Sequence, residues 1–71
     1  MANKRKRKPL QTVDDVVAAL GGPNETALIV NRSRQSVWLW RKAGTFPRNL
    51  RITMRLELRR YGLDAVDGLW K

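Results

Sequence analysis

The chain has 71 residues and a net charge of +9, from fifteen Lys and Arg against six Asp and Glu, with no His and no Cys. That length allows one small domain around a single core. Without Cys there is neither a disulfide framework nor a thiolate metal site, and without His the commonest general base and metal ligand are missing, so no enzymatic activity, metal or cofactor is expected.

The excess of cations favours a polyanionic partner, either nucleic acid or an anionic membrane surface. It is concentrated at the start. In "MANKRKRKP" the side chains of Lys4, Arg5, Lys6, Arg7 and Lys8 repel one another and Pro9 discourages helix. Residues 1–11 are therefore expected to form a basic arm, disordered when free, ahead of a domain spanning residues 12–71. The arm is either a phosphate-tracking or minor-groove element or a plain solubility tail or cloning remnant. The first use fits a chain that is basic elsewhere too. The following "PLQTVDDVV" carries acids where a secretory segment would be apolar, and no apolar run reaches the length of a membrane span. The expectation is a soluble, cytoplasmic protein at the bacterial nucleoid, with no membrane partner and no small-molecule ligand.

Thr12 opens the first predicted helix. Its hydroxyl suits the amide of Asp15, and Asp14 and Asp15 suit the positive helix end. Val13, Val16, Val17 and Leu20 follow at helical spacing, and Gly21-Gly22 ends the helix. Pro23 starts a short second helix, "PNETALIV", with Glu25 placed to reach back to the Gly22 amide, and Asn31 supplies a tight turn. Ser33 caps a third helix, from about Arg34 to Ala43, stopped by Gly44. Pro47 begins a fourth, to about Arg60, closed by Gly62. In it Leu50, Met54, Leu58 and Tyr61 share a stripe, with Ile52 and Leu56 nearly opposite. The tail "LDAVDGLWK" adds a short turn that docks Leu69 and Trp70. No strand signal is present.

Two short helices joined by a tight turn, the second capped and basic, outline a helix-turn-helix. The steep crossing of such helices needs a small residue, which Ala27 supplies. Asn31 supplies the turn, and Val37 and Trp40, three apart, supply the anchor to the core. With these positions, "ALGGPNETALIVNRSRQSVWLWRKAGTFP" resembles the Cro/repressor-type helix-turn-helix regulators of phages and mobile elements. The matching positions are Leu20-Gly21-Gly22, Ala27, Ser33, Val37, Trp40 and Gly44 to Pro47. The resemblance covers residues from about 12 to 60. It implies an all-α, lambda-repressor-like bundle of four to five short helices, sequence-specific binding of double-stranded DNA, and a dimer on a near-palindromic operator, as a homodimer or with a related regulator. The chain departs from the pattern at three points. Asn31 replaces the usual glycine. Arg32 stands where an apolar residue packs, so its stem is expected to cover that spot. Trp38 and Leu39 stand where small polar base-reading residues are usual.

With Val37 and Trp40 turned to the core, the opposite side of the third helix carries Gln35, Trp38 and Lys42, flanked by Arg34 and Leu39. Arg34, Gln35, Trp38 and Leu39 are the base-reading candidates. Gln35 is the sharpest, because a primary amide pairs with the adenine N6/N7 edge. Arg34 suits guanine or a phosphate. Trp38 has two candidate uses, an apolar contact with a thymine methyl or sugar edge and a contact with a second protein surface. Ser33, Ser36, Arg41, Lys42, Arg48 and Arg51 are the phosphate candidates, together with the arm cations; for Ser33 capping alone is a sufficient explanation. Arg55 and Arg59 continue the ridge of Arg48 and Arg51. Ile52, Leu56, Leu69 and Trp70 are candidate dimer contacts, unless the tail folds back and buries the last two. The function this points to is a transcriptional repressor acting by operator occupancy. The alternatives are a DNA-bending architectural or recombination directionality factor and a protein-interaction adaptor. A membrane-surface peptide fits less well.

Overall fold

Capping groups set the helix boundaries in this chain. The computed structural model describes residues 9–71, and the arm cations Lys4, Arg5, Lys6, Arg7 and Lys8 lie outside them. Four α-helices follow in order: α1 (Val13–Ala19), α2 (Pro23–Val30), α3 (Arg34–Ala43) and α4 (Arg51–Arg60). Two 3₁₀ turns, Arg48–Leu50 and Asp67–Leu69, complete the regular structure. Among the described residues there is no strand, and no helix is long and apolar enough to cross a membrane.

The amide of Asp15 donates to Thr12 Oγ1 at 3.0 Å, so α1 starts as predicted. Its end is a Schellman motif: the Gly22 amide donates to the Val17 carbonyl (2.9 Å) and the Gly21 amide to Ala18 (3.2 Å). Both glycines sit at positive φ, +107° and +103°. Because the Gly22 amide is already used, Glu25 does not cap it; instead the Glu25 stem lies 3.0 Å from where a side chain at Gly21 would start. The same closure ends α2. Asn31 is left-handed (φ 58°, ψ 46°) and the Arg32 amide donates to Ala27 at 2.9 Å. Arg32 itself is exposed, which corrects the expectation that its stem covers the core. The turn directs it outward, and a charged head loses less by staying in water.

Ser33 Oγ accepts the Ser36 amide at 3.2 Å to open α3, and the Gly44 amide donates to Trp40 at 2.8 Å to close it. The start of α4 differs from expectation. Pro47 stays extended (ψ 141°), and the 3₁₀ turn Arg48–Leu50 intervenes before α4 begins at Arg51. Leu50, Met54 and Leu58 are buried as the stripe predicts, but Tyr61 is 54% exposed. The helix stops at Arg60, and beyond Gly62 it is Leu63, not Tyr61, that packs against the core.

The core joins Val13, Val16, Val17 and Leu20 with Ala27, Val30, Val37, Phe46, Leu50, Met54 and Leu58. Thr26, fully buried, donates its hydroxyl to the Val17 carbonyl at 3.5 Å and ties α2 to α1. The tail closes the structure through two isolated parallel bridges, Leu10 with Ala65 and Phe46 with Trp70. A bridge of one residue on each side has no alternation to display, so the sequence carries no strand signal for it. The Phe46 amide donates to Leu69 (2.7 Å) and the Lys71 amide to Phe46 (3.1 Å). Leu69 and Trp70 are thereby buried within one chain and are withdrawn as dimer contacts. Leu10, expected in the arm, is held to the tail by bonds to Asp64 and Val66 of 2.9 and 3.0 Å, so the folded unit begins before residue 12.

Candidate nucleic-acid interface

Val37, fully buried, fixes the rotation of α3. Trp40 is half-buried and meets Phe46 edge-to-face at 5.8 Å, and Phe46 in turn stacks on Trp70 at 5.3 Å. The aromatic chain Trp40–Phe46–Trp70 therefore clamps the rear of α3 to the tail. With 100° per residue, anchoring positions 37 and 40 leaves Arg34, Gln35, Trp38, Leu39, Arg41 and Lys42 in solvent, and all six are exposed.

Trp38 stands between two open clefts. On one side Arg34, Gln35, Trp38 and Arg41 line a cleft of about 540 Å³ with Pro23 and Asn24, the first residues of α2. On the other, Trp38, Arg41 and Lys42 face Asp14 at the start of α1. Lys42 Nζ lies 5.0 Å from the centre of the Trp38 ring, a cation–π pair worth about 0.5–1 kcal/mol at an exposed site. Arg41 Nε donates to Asp14 Oδ1 at 2.7 Å. Leu39 is 52% exposed and lines neither cleft. Ser33 and Ser36 approach each other through their hydroxyls at 3.2 Å, so the cap uses both.

The structure thus brings Arg34, Gln35, Trp38, Arg41 and Lys42 onto one face. Arg51 belongs to a different surface: it faces Asp67 at 3.6 Å and lines a shallow cleft on α4 with Ile52, Arg55, Leu56 and Arg59. Arg48 is exposed on its 3₁₀ turn and lines neither cleft beside Trp38. Pro23, Asn24 and Asp14 are the wall residues that sequence reasoning missed. No local signal marks them, because they reach α3 only through the packing of α1 and α2 against it.

The tail carboxylates set a second electrostatic feature. Asp64 accepts the Ala65 amide (2.8 Å) and two bonds from Arg55 (both 3.2 Å), and Arg55 Nη1 reaches Asp67 at 2.6 Å. The Ala65 amide does most to lower the Asp64 carboxyl; burial opposes it, and the charge and hydrogen bonds of Arg55, with the charge of Arg59, leave the carboxyl below its ordinary value. No protein family, characterised protein or solved structure matches this chain.

Proposed function

We propose that α2 and α3 act as a helix-turn-helix and that the protein is a sequence-specific DNA-binding repressor of the Cro type. The observation that carries this reading is the open face of α3. Five of its six exposed side chains between Arg34 and Lys42, all but Leu39, can donate hydrogen bonds to bases or phosphates, on a helix whose rotation is fixed by Val37 and Trp40. Laid in a major groove, such a helix presents Gln35 to an adenine edge and Arg34 to a guanine or a phosphate near its N-terminus. Trp38 gives an apolar contact along the groove wall. Arg41 must exchange Asp14 for a phosphate. An exposed ion pair is worth about 0–1 kcal/mol, less than the charge-assisted bonds a phosphate offers, so the exchange is downhill.

The mechanism is occupancy. Cations neutralise phosphates and release counterions, the α3 face selects the site, and the bound protein excludes polymerase or a competing activator. The arm residues Lys4 to Lys8 add phosphate contacts. Two copies on a near-palindromic operator place their α3 helices about 34 Å apart, so half-sites fall about ten base pairs apart.

Selection of bound sequences from a random duplex pool, with the wild-type chain and Gln35→Ala, tests the reading. The expected result is a compact motif that loses preference at one position in the variant while nonspecific affinity is kept. A pool that stays unenriched, or a motif indifferent to Gln35, Arg34 and Trp38 substitutions alike, removes α3 as the reading element.

A further inference from the structure

The described face of α4 that points away from the core combines two exposed aliphatic side chains with a line of arginines. Ile52 is 73% and Leu56 57% exposed, one helical turn apart. Arg51, Arg55 and Arg59, at the same spacing, border them, and the five residues enclose a shallow cleft of about 160 Å³, of the order of one aliphatic side chain. Arg55 is already oriented: Asp64 and Asp67 hold its guanidinium from the tail side, and its side chain is only 22% exposed. Among the described residues Arg59 makes no ion pair. An exposed leucine alone needs no explanation, but an i, i+4 aliphatic pair bordered by arginines at i−1, i+3 and i+7 is the complement of an amphipathic helix.

We propose that this face docks a short acidic amphipathic helix of a partner protein, with its aliphatic anchors on Ile52 and Leu56 and its carboxylates on Arg59 and, in exchange for Asp67, on Arg51. Charge complementarity selects this occupant over a second copy. A two-fold pairing of α4 helices through Ile52 and Leu56 would set two arginine rows beside one another, of which Asp64 and Asp67 neutralise only a part, and the remaining like charge opposes association. It would also rest on two aliphatic side chains from each protomer, far short of the roughly 800 Å² per partner of a standard interface. A short helix needs no such area to bind in the weak, transient range. The inference uses none of the base-reading candidates on α3, but it assigns Ile52 and Leu56, the remaining candidate dimer contacts, and Arg51, a phosphate candidate, to a protein partner.

The probe is a synthetic helical peptide with Leu at i, i+4 and i+7 and Glu at the flanking positions, titrated by fluorescence anisotropy against the full chain. Two controls have the same composition, one scrambled to destroy the apolar stripe and one with Lys in place of Glu. Saturable binding of the first peptide is expected, weakened about tenfold or more by Ile52→Glu or Leu56→Glu and unchanged by Gln35→Ala or Trp38→Ala. Both α4 positions are solvent-exposed, and circular dichroism of each variant establishes that it is folded. Arg59→Glu is expected to weaken the acidic peptide and to strengthen the Lys peptide. Equal binding of the scrambled peptide overturns the proposal, because it reduces the effect to general polyanion attraction. Absence of binding overturns it as well. So does concentration-dependent dimerisation in sedimentation that Ile52→Glu abolishes, which assigns the face to a second copy.

Discussion

At the residue scale, the two tryptophans of "SVWLW" have opposite fates because they lie 200° apart on the helix. Trp40 enters the aromatic chain with Phe46, while Trp38 stays 54% exposed with Lys42 over its ring. The pairing of Arg41 with Asp14 carries the sharpest consequence for the proposed interface. Asp14→Asn frees Arg41 and removes a negative charge from the cleft. DNA affinity at low salt is expected to rise by about two- to fivefold, on the order of the energy of one exposed ion pair. Thermal stability is expected to fall slightly, since Asp14 also faces the positive end of α1. Binding isotherms and melting curves on the same samples check both signs.

The Asp64 carboxyl makes a prediction in pH. Its folded-state value lies below the ordinary 3.8. The stability it contributes is therefore present above that value and is lost as pH falls from it through the lower folded value. Denaturant titrations of wild type and Asp64→Asn are expected to converge as the pH drops below 3.8, with wild type more stable at neutral pH. A constant difference across the range would place the effect of Asp64 elsewhere than in its charge. The side chain is 47% exposed, so solvent screens its pairing with Arg55 and the change is modest.

At the element scale, most of the helix boundaries were legible because each is made by a residue whose chemistry has few other uses. Thr12 and Ser33 accept the amides that a helix leaves free, and Asn31 and Gly44 adopt the left-handed turn. Ser33→Ala is expected to cost about 1 kcal/mol of unfolding free energy. Asn31→Gly should be tolerated and Asn31→Val should cost about 1–2 kcal/mol, because a β-branched residue resists φ 58°. Equilibrium unfolding in urea distinguishes them. The fourth helix was less legible. The proline at 47 carries the residue type of a helix start, yet the chain first makes a 3₁₀ turn to bring Leu50 into the core. Tyr61 was misplaced for a related reason, since a stripe projected along a helix continues past the point where Gly62 ends it.

At the scale of the whole molecule, the tail is what the sequence left undecided and the fold settled. Trp70 stacks on Phe46 and is 5% exposed, with its indole Nε1 buried and without a hydrogen-bond partner. Truncation to Ala is expected to cost about 3–5 kcal/mol, a large part of the roughly 4–11 kcal/mol available to a domain of this length. Trp70→Phe is expected to be far milder, because it keeps the stacking and removes an unpaired donor that costs on the order of 1–3 kcal/mol. Calorimetric melting of the two variants checks the contrast. If Trp70→Ala melts like wild type, the tail is not part of the cooperative unit.

Composition, capping residues and apolar spacing determined the all-α class, the bounds of α3 and the exposed identity of Arg34, Gln35 and Trp38, because each follows from interactions within about one helical turn. The tertiary structure decided which cations share a face, that Arg41 meets Asp14, that Arg51 turns to Asp67, and that Leu69 and Trp70 close the core instead of a dimer. The long-range pairings join residues between 16 and 56 positions apart, from Arg51 with Asp67 to Leu10 with Val66. Over such separations a side chain's type fixes what it can bond to, and only the packing of the helices fixes which partner comes within reach.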